Sequence, residues 1–202
     1  MFVIDKTFEF CYGHRVWTQQ LDGRYADDLK CACRHLHGHE AKVQVFLQAD
    51  KLKDGMVTDF RHLEWLKKWL NTYVDHKFLI DQNDPLKDVL FPKTVKLNDH
   101  HMFTVGETDI MVTSRPANGP EEFLVVGKQY NYPNEPSPQK ELYDGLLIVP
   151  FVPTSEHLAT WLFRIVKFVM APLGVTVAQV DWWETPKSRS SYRNPELHQN
   201  KF

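Results

Sequence analysis

Seven residues, Cys33–His39, read CRHLHGH: one thiol, three imidazoles and a glycine in a single short stretch. On an extended strand successive side chains point to opposite faces. His37 and His39 then share a face, and two imidazoles at i,i+2 can grip one ion. His14 sits near the end of an earlier alternating segment and can supply a third nitrogen. Three histidines suit Zn²⁺ with an open fourth position, the arrangement of a catalytic rather than a structural centre. Gly38 removes a side chain where backbone or substrate must come close. Spacing alone does not select the ligands, because His35 falls on the same face. The plain alternative is a set of histidines on a solvated strand.

Three further groups could work beside such a centre. Cys33 can act as a thiolate near a cation and Arg34, serve as a fourth ligand, or simply be buried. Cys31 competes for each of these roles. Asp75-His76 pairs a carboxylate with an imidazole. A carboxylate that fixes one tautomer lets its imidazole move protons near neutral pH. Adjacent residues can bond side chain to side chain in a turn but not readily on a strand; an ordinary helix-end histidine is the alternative. Glu184, in WWETP, is either solvent-exposed or a two-point acceptor for a guanidine-like heterocycle such as a pterin or guanine.

The elements that must position these residues follow from periodicity. Phe2–Tyr12 alternates, with Phe2, Ile4, Phe8 and Phe10 on one face, and reads as a strand. Residues 18–32 read as a polar loop, and Lys42–Ala49 as a second strand. Asp59 is a candidate N-cap for a helix over 60–74, with Phe60, Leu63, Leu66, Leu70 and Tyr73 as its stripe. Thr154 or Ser155 caps another helix, whose stripe is Leu158, Trp161, Leu162, Ile165, Phe168 and Val169 and which Gly174 stops. Residues 175–184 form a last strand; the tail from Pro186 is polar, and its end is expected to fray or serve assembly. Residues 84–150 hold eight prolines and several short β-type runs (MFTVG, DIMVTS, FLVVG, LLIVPF). They read as an inserted β-rich subregion. Strand, strand, helix, insertion, helix, strand is an α+β order.

Composition bounds the rest. The chain has 202 residues, 43% hydrophobic and 13% aromatic, enough for one packed domain over 1–202. The net charge of −2 excludes a basic face for nucleic acid. No apolar run approaches the roughly 20 residues of a membrane span, and the first residues lack a signal-peptide core. An odd count of three cysteines argues against a disulfide scaffold and for a cytoplasmic protein.

The segments FEFCYGH, CRHLHGH, GMVTDFRHLEWL, VDHKFL, PTSEHLATWLF and WETPKSRSSYR, in this order, resemble the 6-pyruvoyltetrahydropterin synthase superfamily. They resemble most its 6-carboxytetrahydropterin synthase branch, which feeds queuosine and other 7-deazaguanine biosynthesis. The resemblance covers both ends of the chain and leaves about 84–150 without a counterpart. It implies the tunnelling fold: four antiparallel strands and two helices per subunit, trimeric barrels or stacked hexamers, and sites between subunits. It implies Zn²⁺ on His14, His37 and His39, with His35 a bystander. Cys33, Asp75 and His76 would transfer protons, Glu184 would anchor the pterin, and Thr154, Ser155 and Glu156 would line its pocket. Tyr192 and Arg193 match a Tyr-Arg of the family's C-terminal segment. The implied reaction is that of a lyase converting 7,8-dihydroneopterin triphosphate to 6-carboxy-5,6,7,8-tetrahydropterin, acetaldehyde and triphosphate. Cys33 has the carboxy-branch spacing to HGH and Cys31 the longer pyruvoyl-branch spacing, so triphosphate elimination alone is the alternative activity. A zinc-stabilised binding or assembly module, using Glu121, Glu122, Tyr130 and Tyr132 of the insertion, is the alternative of another class.

Overall fold

The structure, a computed structural model, describes residues 1–27, 29–92, 100–105, 108–113 and 138–197. Its elements are β1 (Phe2–His14), β2 (His37–Ala49), α1 (Glu64–Tyr73), β3 (Lys77–Asp81), α2 (Lys87–Leu90), β4 (His100–Val105), β5 (Thr108–Thr113), α3 (Pro138–Asp144), β6 (Leu146–Val149), α4 (Ser155–Met170), β7 (Thr176–Thr185) and β8 (Ser188–Arg193).

Six strands form one sheet in the order β6-β3-β1-β2-β7-β8. β1 and β2 run antiparallel: Gly38 lies against the Tyr12 carbonyl, while Gln44 hydrogen-bonds Asp5. β2–β7 and β7–β8 are antiparallel as well. These four strands with α1 and α4 make the α+β tunnelling-fold core expected from the sequence. β3 and β6 extend the β1 edge by parallel pairings, Tyr12↔Lys77 to His14↔Leu79 and Phe78↔Leu146 to Asp81↔Val149. LLIVPF is thus largely a strand of the main sheet. Residues 102–105 of MFTVG and 109–113 of DIMVTS fall in the separate antiparallel pair β4-β5. FLVVG, Glu121, Glu122, Tyr130 and Tyr132 lie outside the described residues.

The chain divides into two compact units. The first comprises 1–10, 40–72 and 155–202. Its strands are amphipathic by alternation: Phe8 and Phe10 of β1 and Ala41, Val43, Val45 and Leu47 of β2 are buried. Asp59 accepts a hydrogen bond from the Arg61 N–H, capping a 3₁₀ turn, Phe60–Leu63, that runs into α1. Leu66, Trp69 and Leu70 of α1 and Leu158, Trp161, Leu162 and Ile165 of α4 are buried. The Trp69 and Trp161 rings pack edge to face at 5.1 Å, and Phe10 and Trp182 at 5.3 Å.

Two sequence expectations change here. Phe168 is exposed, because the buried stripe of α4 continues through Val166 to Met170, one turn on, and leaves Phe168 on the far side. β7 is not the last strand. Ser188–Arg193 is strand β8, antiparallel to β7, and polar because its burial alternates only between exposed and partial. A sheet-edge strand of this kind carries no apolar alternation to read.

The second unit comprises 11–39 and 73–154. Ile80, Phe91, Tyr143, Leu146 and Ile148 form its core, with Phe78 and Leu90 packed on it. Phe91 and Tyr143 belong to the insertion, so its described flanks are built into this core. No helix among the described residues is long and apolar enough to cross a membrane.

Trp161 is fully buried in the first unit. Trp161→Ala is expected to cost about 3–5 kcal/mol, read as a lower denaturant midpoint with an unchanged slope.

Candidate metal and proton-transfer site

β1 ends at His14 and β2 begins at His37, so the antiparallel pairing brings the two strand ends side by side. The approach is close. A Cβ on Gly38 would stand 3.1 Å from the Tyr12 carbonyl oxygen, and one on Gly13 would stand 2.7 Å from the Phe78 ring. A glycine at both places lets the strands meet without displacing backbone.

His14, His37 and His39 converge, with ligand atoms all within 4.8 Å of one another. His14 Nε2 lies 3.0 Å from His37 Nε2 and 3.1 Å from His39 Nε2. His14 Nδ1 is 2.6 Å from the Pro153 carbonyl, and His37 Nδ1 is 2.8 Å from the His35 carbonyl. A carbonyl only accepts, so each Nδ1 carries the proton and donates it. With both rings in the neutral form the two Nε2 atoms face each other lone pair to lone pair at hydrogen-bond distance. That contact is repulsive by itself and becomes favourable around a cation. Tetrahedral coordination at Zn–N distances of ~2.0–2.1 Å separates nitrogens by about 3.3 Å, close to what is seen. Burial first, and then His37 and His39, push the His14 pKa down to about 4 against the opposing Pro153 hydrogen bond. His39 is lowered too, by burial first and then His37. Neutral imidazole is the ligand form. The residues present therefore fit a divalent metal. Among the described residues no cysteine or carboxylate joins the cluster, so Cys33 is not a fourth ligand here. His35 contributes its carbonyl, not its ring.

The sequence left the Asp75-His76 contact conditional on a turn, and a turn is what forms. Between α1 and β3, His76 takes a left-handed φ of 58°, uncommon for a residue with a Cβ. Its N–H donates to the Cys11 carbonyl at 2.7 Å, and Asp75 Oδ1 accepts from the Cys11 N–H at 2.9 Å. Those two bonds clamp the turn to β1. Asp75 Oδ1 also lies 3.0 Å from His76 Nδ1, which fixes the tautomer and leaves Nε2 outermost. The His76 side chain is 82% exposed, open to a substrate.

His39 and His76 both line a cavity of about 840 Å³. Its walls include Tyr12, Phe78, Leu90, Phe91 and Leu142, and its polar groups include Lys77 and Glu141. Leu90, Phe91, Glu141 and Leu142 come from the insertion, which thus furnishes part of the wall.

Cys33 lies on a 3₁₀ turn, Ala32–Arg34, half-buried, with its carbonyl accepting from the Val16 N–H at 2.8 Å. Thr154 is half-buried just before α4. Ser155 opens α4 and shares a 2.7 Å hydroxyl contact with Ser190; Glu156 is exposed. Glu184 is half-buried on β7 where the ladder to β8 shifts register between Trp183 and Thr185. The extra residue of such a bulge re-aims a side chain. Tyr192 packs on Phe163 and Arg193 donates to Gln179.

Two contributors to the centre escape the sequence reading. Tyr12 places its ring 5.1 Å from His14 and 5.8 Å from His39. Its i,i+2 relation to His14 was the available signal. The Pro153 carbonyl has no side-chain signature at all. Beyond His14, Arg15 pairs with buried Asp84 at 2.9 Å and Trp17 Nε1 donates to Asp81 at 2.9 Å, anchoring the chain as it leaves β1.

Fold and site together define a tunnelling-fold protein with a three-histidine centre. The 6-pyruvoyl tetrahydropterin synthase family model matches residues 3–195, and the chain belongs to that family. A 6-carboxy-5,6,7,8-tetrahydropterin synthase of Aquifex aeolicus is 31% identical over 94% of this chain and 96% of its own length. A crystal structure of an uncharacterized Wolinella succinogenes protein superposes with a TM-score of 0.74 at 38% identity, covering 96% of this chain and 98% of that one. The 6-pyruvoyl tetrahydropterin synthase of Plasmodium vivax shares the fold, with a TM-score of 0.51 at 14% identity over 96% of this chain and 99% of that one.

His37→Ala should weaken divalent-metal binding at least about 100-fold, the upper end of what altering even an outer-shell partner costs. Competition with a chromophoric chelator measures it. Affinity equal to the parent's would dismiss the three-histidine centre.

Proposed function

We propose that the protein converts 7,8-dihydroneopterin triphosphate to 6-carboxy-5,6,7,8-tetrahydropterin, releasing acetaldehyde and triphosphate. The observation that carries the reading is the convergence of the His14, His37 and His39 Nε2 atoms, with His39 and His76 lining one cavity. The Aquifex relative, matched along nearly its whole length, bears the name of this activity.

His14, His37 and His39 would hold Zn²⁺, which when bound supplies a Lewis acid that polarises the substrate's side-chain oxygens and makes the neighbouring C–H protons acidic. The chain's own residues do the rest. His76 takes up and returns a proton at Nε2 while Asp75 stabilises the imidazolium through Nδ1–H. The Cys33 thiol is the second proton carrier. Glu184 would accept two N–H bonds from the 2-amino-4-oxo edge of the pterin, and Thr154, Ser155 and Glu156 would be further pterin-binding residues. The apolar walls keep bulk water from the reacting carbons. The domain spans 1–202 with an insertion at about 84–150, and the protein works in the cytoplasm as a homo-oligomer, trimer or hexamer, with sites between subunits.

Cys31 stands in the spacing of the pyruvoyl branch, which makes simple triphosphate elimination the competing reaction. Mass analysis of the pterin product separates the two, since the carboxylate and the diketone differ in side-chain length. Incubation with the triphosphate is expected to give the carboxylate, to stop on chelation and to resume on adding Zn²⁺. A diketone product would assign the other branch, and an unchanged substrate would leave only a binding module.

Cys33→Ala and His76→Ala should each lower turnover on the order of 10²–10⁴-fold while keeping the parent's metal content. Full turnover by either variant would remove that residue from the mechanism.

A further inference from the structure

Cys31 and Cys33 form a dithiol whose second thiol no proposed step uses. The Sγ atoms are 3.1 Å apart, and the Cys33 N–H points at Cys31 Sγ at 3.4 Å. A sulfur–sulfur bond is ~2.05 Å, so about 1 Å of approach remains. That is within reach of rotation about the two Cα–Cβ bonds. The turn that presents them is ordered: the Arg34 N–H donates to the Cys31 carbonyl at 3.1 Å and the His35 N–H to the Ala32 carbonyl at 2.9 Å. Both residues are half-buried, accessible to a small oxidant. Cys11, the third thiol, lies on β1 and not in this turn.

We propose that Cys31 and Cys33 are a modification site at which a peroxide-class oxidant closes a reversible intramolecular disulfide. One thiolate attacks a peroxide oxygen, the O–O bond breaks, and sulfenic acid and hydroxide result. The other thiolate attacks that sulfur, the S–S bond forms and hydroxide leaves. In sum, two thiols and one H₂O₂ give one disulfide and two waters; the sulfurs are oxidised and the peroxide reduced. Cys31 thereby guards Cys33: the sulfur is held at a level a dithiol can reverse, short of sulfinic and sulfonic acids. The consequence for turnover rests on the reading of Cys33 given above; the bond itself does not.

Lys30 and Arg34 flank the pair, so trypsin releases both thiols on one tetrapeptide, Cys31–Arg34, and Cys11 on another. The intact reduced protein is treated with hydrogen peroxide, alkylated, digested and weighed. The tetrapeptide is expected to lose two hydrogens and take no alkyl group. Turnover is expected to fall on the order of 10²-fold or more and to recover with dithiothreitol. In Cys31→Ser the same treatment should leave Cys33 as sulfinic or sulfonic acid, with no recovery. Two alkylated thiols, a Cys33 over-oxidised in the parent, or a bond to Cys11 would each overturn the proposal. A disulfide with turnover intact would leave the site standing and instead remove Cys33 from the catalytic reading.

Discussion

Two imidazole lone pairs held 3.0 Å apart, at His14 and His37, are the constraint on which the rest of the site depends. Left alone they repel. They stay because each ring is tied at its other nitrogen to a carbonyl, Pro153 for His14 and His35 for His37. Burial keeps His14 from relieving the contact by taking a proton, with its pKa pushed to about 4. The fold thus stores a local unfavourable contact that a cation converts into a favourable one, an outer-shell design common to histidine metal centres. Gly13 and Gly38 let the strand ends close, and the Arg15–Asp84 pair holds the chain just past them.

The same strand that ends in His14 also organises the Asp75-His76 pair. Cys11 presents its N–H to Asp75 and its carbonyl to His76. An outward-facing position of β1, three residues before buried His14, therefore sets the turn that carries the exposed imidazole. The left-handed φ of His76 is strain that these bonds offset, as is usual where function demands an awkward backbone. β3 follows at once and pairs parallel to β1, so the turn is held on both sides.

Much of this was legible. Alternation in Phe2–Tyr12 and in Lys42–Ala49, the Asp59 cap and the helical stripes come from local sequence and survive in large part, since each reports a face that must be buried, but Phe2, Phe60 and Phe168 of those faces are exposed. The i,i+2 histidines share a face because the strand begins earlier than its apolar alternation, at His37. The polar strand β8 was not legible, because it satisfies its backbone on β7 without needing an apolar face. Nor was the placement of LLIVPF, which as an apolar run looks the same in a hairpin as in a parallel edge strand. The drift of the α4 stripe to Val166 and Met170 reflects the partner surface, not the propensity of the helix.

Residue types and their spacing determined, by themselves, which groups were able to do chemistry: imidazoles in register, a thiol near them, a carboxylate next to a histidine. Bond geometry and the pleat fix those relations over a few residues. Tertiary structure alone decided which nitrogen of each ring is bare, that no thiolate of the described residues closes the centre, and that a carbonyl 139 residues away orients His14. Main-chain acceptors carry no residue-type signal, and protonation follows burial and neighbours, which exist only once the chain is folded.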